Sequence, residues 1–121
     1  MPDISFVLVY VEDVSRSEAL YTSILGRTSI ESSPTFAMLP AAPGLKLGLW
    51  RRDGVKPTAG RGAGGEIAFT AKNEAEVDAF CADWRARGIA IAQAPTSMDF
   101  GYTFVALDPD GQRVRVFAPA V

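Results

Sequence analysis

Apolar positions along the chain change rhythm in a regular order. Residues 4–11 are dense in Val, Ile, Phe and Tyr and predict a buried strand. Helical spacing follows over about 14–24, where Leu20 and Ile24 share a face with Tyr21 and Leu25 beside them. Ser15 with Glu18 three residues later forms a candidate capping box, and Gly26 suits the stop. Residues 28–31, 35–39 and 45–51 then read as short strands, with Pro34 and the segment 40–44 supplying the turns.

The second half repeats this order. Residues 66–71 predict a strand, and Asn73 with Glu76 predicts a capped helix reaching about Arg87 before Gly88. Val77, Phe80, Cys81 and Trp84 form its apolar stripe. Residues 89–92, 102–107 and 114–117 predict three more strands, and Asp108-Pro109-Asp110-Gly111 is a turn signal between the last two. Strand, helix and three strands, twice over, imply an α+β fold of two paired βαβββ modules, because neither half could bury its sheet alone. We expect one domain over 1–121, with module 1 at about 1–55, a linker at about 56–64 and module 2 at about 65–121. The linker is glycine-rich (Gly60, Gly62, Gly64, Gly65), but it lacks a Gly-Lys-Ser/Thr ending and runs into a strand, so it is not a phosphate loop.

Composition removes several functions. The 121 residues carry a net charge of −2, which gives no electrostatic footprint for nucleic acid. No apolar run is long enough to span a membrane, and Met1-Pro2-Asp3 does not open a signal peptide. One cysteine, Cys81, rules out an internal disulfide framework and fits a cytoplasmic location. Histidine is absent, which removes the commonest metal ligand and the usual general base. No cofactor motif is present. Cys81 sits in the helix stripe and reads as an inert thiol. Asp108 and Asp110 read as turn residues.

Two local patterns stand out. One is Val11-Glu12-Asp13-Val14-Ser15-Arg16-Ser17, followed by Ala19-Leu20-Tyr21-Thr22-Ser23-Ile24-Leu25-Gly26. The other is Asp108-Pro109-Asp110-Gly111 running into Gln112-Arg113-Val114-Arg115-Val116-Phe117. With the repeat, they resemble the vicinal oxygen chelate superfamily of glyoxalases, bleomycin-resistance proteins and dioxygenases. That resemblance implies two βαβββ modules forming curled mixed sheets around a cavity, and commonly a homodimer. Carried over by motif offset, the superfamily's four metal-ligand positions fall on Phe6, Gly48, Glu66 and Arg115. Only Glu66 could bind a metal, so the resemblance speaks against metal-dependent glyoxalase, dioxygenase or thiol-transfer activity. It points instead to the antibiotic-binding branch. The segments around Leu45–Trp50 and Pro95–Tyr102 are similar to phenazine-resistance proteins.

The expected function is therefore to bind and sequester a planar aromatic small molecule, such as a phenazine-like antibiotic, without chemistry. If Gly48 faces the cavity, strand alternation puts Trp50 on the same face, as an aromatic wall beside volume that Gly48 leaves unfilled. Trp50 packing at a strand end is the plainer reading. Trp84 reads as core. Glu66 and Arg115 either pair with each other or meet polar groups of the ligand. Asp99, Phe100 and Tyr102 are expected on or beside a loop over the cavity mouth, with Phe100 as a core plug the alternative. The competing function is a metal-independent enzyme, a lyase or isomerase, in which burial raises the pKa of Glu66 and makes it a general base.

Overall fold

A computed structural model describes residues 5–55 and 65–120. The linker expected at 56–64 and the first residue of the expected first strand, Ile4, lie outside them. The chain packs as two compact units, Met1–Gly62 and Ala63–Val121. The first contains β1 (Phe6–Val11), α1 (Val14–Leu25), β2 (Glu31–Ser32), β3 (Phe36–Ala42), β4 (Leu45–Arg51) and a short 3-10 turn. The second contains β5 (Ile67–Thr70), α2 (Glu74–Ala86), β6 (Ala90–Met98), β7 (Gly101–Leu107) and β8 (Arg113–Pro119). Strand, helix and three strands thus occur twice, as the sequence pattern predicts. Each unit forms a four-stranded mixed sheet, in the orders β1-β4-β3-β2 and β5-β8-β7-β6. In each, the first strand pairs in parallel with the last. None of the helices among the described residues is long and apolar enough to cross a membrane.

In unit 1 the odd positions of β1, β3 and β4 form the core. Val9, Val11, Leu39 and Leu49 are buried with Val14 and Tyr21 of α1. Asp13 caps α1, where Ser15 was expected to. Its side chain accepts the Arg16 amide and the Ser15 hydroxyl. The cap thus lies two residues before the one the Ser-x-x-Glu pattern suggests, and those bonds hold the Asp13 carboxyl below its ordinary pKa. Glu18 turns instead to the following segment, where it accepts the hydroxyls of Ser29 and Ser32. Residues 28–30 lie outside any strand, and β2 shrinks to Glu31–Ser32. Gly26 ends α1 at φ 65°, a left-handed conformation that glycine adopts without a Cβ clash. The 40–44 turn contracts to Pro43 and Gly44, because β3 carries on past Pro40 through a register shift.

In unit 2 the Asn73 cap is present, with its side chain accepting the Glu76 amide at 2.8 Å. Glu76 reaches back to the Lys72 amide, one residue before the usual box partner. Asn73→Ala should lower unfolding free energy by about 1 kcal/mol in urea titrations, the ordinary cost of losing an N-cap. Of the expected stripe, Val77, Cys81 and Trp84 are buried, but Phe80 is 41% exposed. Phe80 sits on the shoulder of the stripe and meets the Trp84 ring at a tilt, at a ring separation of 6.4 Å. Burial pushes the Cys81 thiol pKa up, in keeping with an inert side chain. Asp108 is buried and accepts the Asp110 and Gln112 amides, each at 2.8 Å, so the Asp-Pro-Asp-Gly segment is a turn, as expected.

Candidate functional site

The other face of unit 1's sheet is built from even-numbered positions, because side chains alternate along a strand. Register sets three rows across it. Tyr10, Trp50 and Phe36 lie side by side, then Leu8, Gly48 and Met38, then Phe6, Lys46 and Pro40. Gly48 occupies the centre of this grid. Phe6, Leu8, Phe36 and Trp50 line an open concavity of about 380 Å³. All four present carbon surface, and Trp50 is steadied by an edge-on contact with Tyr10 at 6.3 Å. Phe6, Leu8 and Tyr10 are each more than a third exposed, so this is apolar surface facing outward.

Gly48 does not leave the unfilled volume that the sequence suggested. A Cβ there would stand 2.6 Å from the Leu8 Cδ2 and 3.1 Å from the Phe36 ring. Neighbours on both adjacent strands lean into the position where the side chain is missing, because close packing removes a dent whenever flexible groups can reach it. Leu8 and Phe36 were missed in the sequence reading. The signal was available, since both fall on the same strand face as Trp50 once the pairing is known.

In unit 2 the sheet face turned away from α2 carries Glu66, Arg115 and Thr103. Arg115 donates from Nε to the Glu66 carboxylate at 2.6 Å and from Nη2 at 3.1 Å, and from Nη1 to the Thr103 hydroxyl at 3.1 Å. Thr103, in turn, donates to the Val116 carbonyl. The Phe100 ring lies over the guanidinium at 5.4 Å and meets Phe117 edge-on at 6.0 Å. This fixes the fork of the arginine in one orientation. The Arg115 hydrogen bonds hold the Glu66 carboxyl below its ordinary pKa, partly opposed by burial. The expectation of a raised pKa is therefore overturned: the pairing outweighs the desolvation, and Glu66 is a weaker base than a free carboxylate.

A folded-state pKa below the unfolded one stabilises the fold above the unfolded value, and that contribution is lost as pH falls through the folded value. Glu66→Gln should therefore cost about 1 kcal/mol at neutral pH, the scale of a partly exposed pair. The parent–variant difference should shrink as the pH drops below about 4. Urea unfolding across that range checks both.

The loop expected between the strands at 89–92 and 102–107 is largely strand. β6 runs to Met98 and β7 starts at Gly101, leaving only Asp99 and Phe100 as the turn. Phe100 is 44% exposed, which argues against a core plug. Gly101 has φ 148°, and a Cβ on it would meet the Ala118 carbonyl oxygen at 2.0 Å, so only glycine fits where the hairpin crosses β8. Tyr102 points the other way from Arg115. Its hydroxyl donates to Asp78 on α2 at 2.7 Å, and that bond raises its pKa. Structure thus groups Phe100 with Arg115 and Glu66, and separates Tyr102 from them. A larger polar hollow of about 680 Å³ lies by the start of α1. Its Asp13, Glu18 and Arg51 are already engaged with Ser15 and Arg16, with Ser29 and Ser32, and with Asp53, so it holds no set of side chains aimed at a ligand.

The family model of the Glyoxalase/Bleomycin resistance protein/Dioxygenase superfamily matches residues 3–116. The chain belongs to this superfamily. Its two helices and two mixed sheets are the α+β fold of the group. A curated relative, the phenazine antibiotic resistance protein EhpR of Enterobacter agglomerans, is 29% identical over 112 residues, covering 90% of this chain and 86% of that protein. An Agrobacterium tumefaciens protein solved by NMR in solution is 47% identical, with a TM-score of 0.90 and 100% of both chains covered. A superfamily enzyme from Burkholderia phytofirmans PsJN has the same fold at 22% identity, with a TM-score of 0.83 over 98% of this chain and 100% of that one.

The side chains at the four positions to which the resemblance carries the superfamily's metal ligands do not suit a divalent cation. Phe6 offers a hydrocarbon ring and Gly48 no side chain at all. Arg115 is itself a cation, and it already occupies both oxygens of Glu66. Among the described residues no three Asp, Glu, Cys or His side chains gather into a ligand set.

Proposed function

We propose that this superfamily member binds a planar aromatic small molecule and sequesters it without chemistry, as a phenazine-like antibiotic would be sequestered. The observation that carries this reading is the outward-facing concavity of Phe6, Leu8, Phe36 and Trp50, which has aromatic walls and no charged group. A flat ring gains burial there, plus roughly 0.5–1.5 kcal/mol for each aromatic pair. The relationship to a phenazine antibiotic resistance protein supports the ligand class. The lowered pKa of Glu66 favours this reading over the general-base one.

Equilibrium dialysis against phenazine tests it. The expected result is one equivalent retained per site and recovered chemically unchanged after prolonged incubation. Conversion of the phenazine, or no retention, would contradict it.

We further propose that the protein works in the cytoplasm as a homodimer, which fits its superfamily. Light scattering at micromolar concentration should give twice the 12.9 kDa chain mass, and a monomer throughout would count against it.

A further inference from the structure

The grid around Gly48 has a consequence for which ligands the concavity accepts. Leu8 stands directly across from Gly48 in the β1–β4 register. Its δ-methyl fills the dent where a side chain would be, 2.6 Å from the Cβ position. Yet Leu8 is 47% exposed, the most exposed of the large apolar side chains on β1. It also lines the concavity. A side chain this exposed changes rotamer on the picosecond-to-nanosecond scale, whereas the neighbouring ring of Phe36 is half-buried and held on the strand beyond.

We infer that Leu8 is a swinging plug: its methyl occupies the Gly48 dent, a flat ring enters by displacing it, and the Leu8–Gly48 pair sets the ring size accepted. This rests on the binding reading above and adds a specificity element to it. Three points support it. The dent lies at the centre of the apolar grid, between Leu8 and Met38 and next to Trp50 in β4. Filling it from below, with a Cβ on Gly48, drives the Leu8 methyl into the concavity. Removing the plug deepens the concavity on the β1 side of Gly48, with the Phe36 ring still over the other side, and a ring system long enough to reach from Trp50 across Gly48 gains most from that depth.

The test uses Leu8→Ala, Gly48→Ala and the double variant, with calorimetric titration of phenazine (three fused rings) and quinoxaline (two). Leu8→Ala should tighten phenazine several-fold and raise the ratio of phenazine to quinoxaline affinity. Gly48→Ala should weaken phenazine about tenfold, and the double variant should regain most of that loss, because the two positions are coupled. Leu8→Ala weakening phenazine, or a double variant no better than Gly48→Ala, would overturn the proposal. A second readout needs no ligand. The Leu8 δ-methyl resonance of the parent should be shifted by the Phe36 ring and should move toward an ordinary leucine value in Gly48→Ala. A parent that binds neither probe overturns the binding reading and the ring-size role together. The plug itself is then decided by the methyl resonance, and an unchanged position in Gly48→Ala overturns it.

Discussion

Trp84→Ala should lower the unfolding free energy by about 3–5 kcal/mol, the usual cost of truncating a large aromatic in a core. Trp84 is 3% exposed and packs edge-on against Phe104 at 5.3 Å and Phe69 at 6.3 Å. It therefore joins α2 to two strands of unit 2's sheet. Phe104 is fully buried against it, so little can collapse into the space that the indole would leave. The variant should unfold at far lower urea with an unchanged or smaller dependence on denaturant. A loss below about 1 kcal/mol would mean that the helix–sheet packing described here is wrong.

Trp50→Ala should have the opposite profile. Its indole is half-buried, and among the described residues it meets the Tyr10 ring edge-on. Its truncation should cost about 1–2 kcal/mol of stability, well short of a core truncation. For a stacked aromatic ligand it removes one wall of the site. The lost contact is on the order of 2 kcal/mol, or about thirtyfold in Kd. Phenazine titration and urea unfolding on both tryptophan variants form a crossed comparison. Trp84→Ala should lose stability first, and Trp50→Ala should lose affinity first.

Much of the architecture was legible because it rests on local chemistry. Segment 45–51 was read with both ends right, since alternation and flanking turn residues bound it on either side. The Asn73 cap, the Gly26 stop and the Asp108 turn were readable for the same reason: each satisfies backbone groups within a few residues. Legibility failed where pairing decides. β6 continues through Pro95 because it is the edge strand of its sheet, where a missing amide costs no ladder bond, and two register shifts absorb the misfit. No residue type in Gln93-Ala94-Pro95-Thr96-Ser97 announces an edge. The cap of α1 was misplaced because Asp13 and Ser15 are both good N-caps, and the choice depends on where the chain leaves β1.

At the site, alternation correctly put Trp50 on the face of Gly48. It did not show that Leu8 and Phe36 close over the glycine, because that depends on which strands flank β4. The Glu66–Arg115 pairing was one of two open readings. Its effect on pKa was opposite to the one expected from burial alone, since the sequence did not show that the arginine would engage both carboxylate oxygens. Tyr102 was expected at the start of a strand beside the loop, and the parity of β7 sends its ring to the α2 side.

The central claim is that Trp50 walls a site for a flat aromatic ring. The chain has two tryptophans, so a nitrogen-15 spectrum contains two indole N–H resonances. Substituting Trp50 and Trp84 in turn assigns them. On titration with phenazine, the Trp50 resonance should move progressively and saturate, while that of buried Trp84 stays in place. A Trp50 resonance that does not move at saturating phenazine, or a response confined to Trp84, would contradict the account.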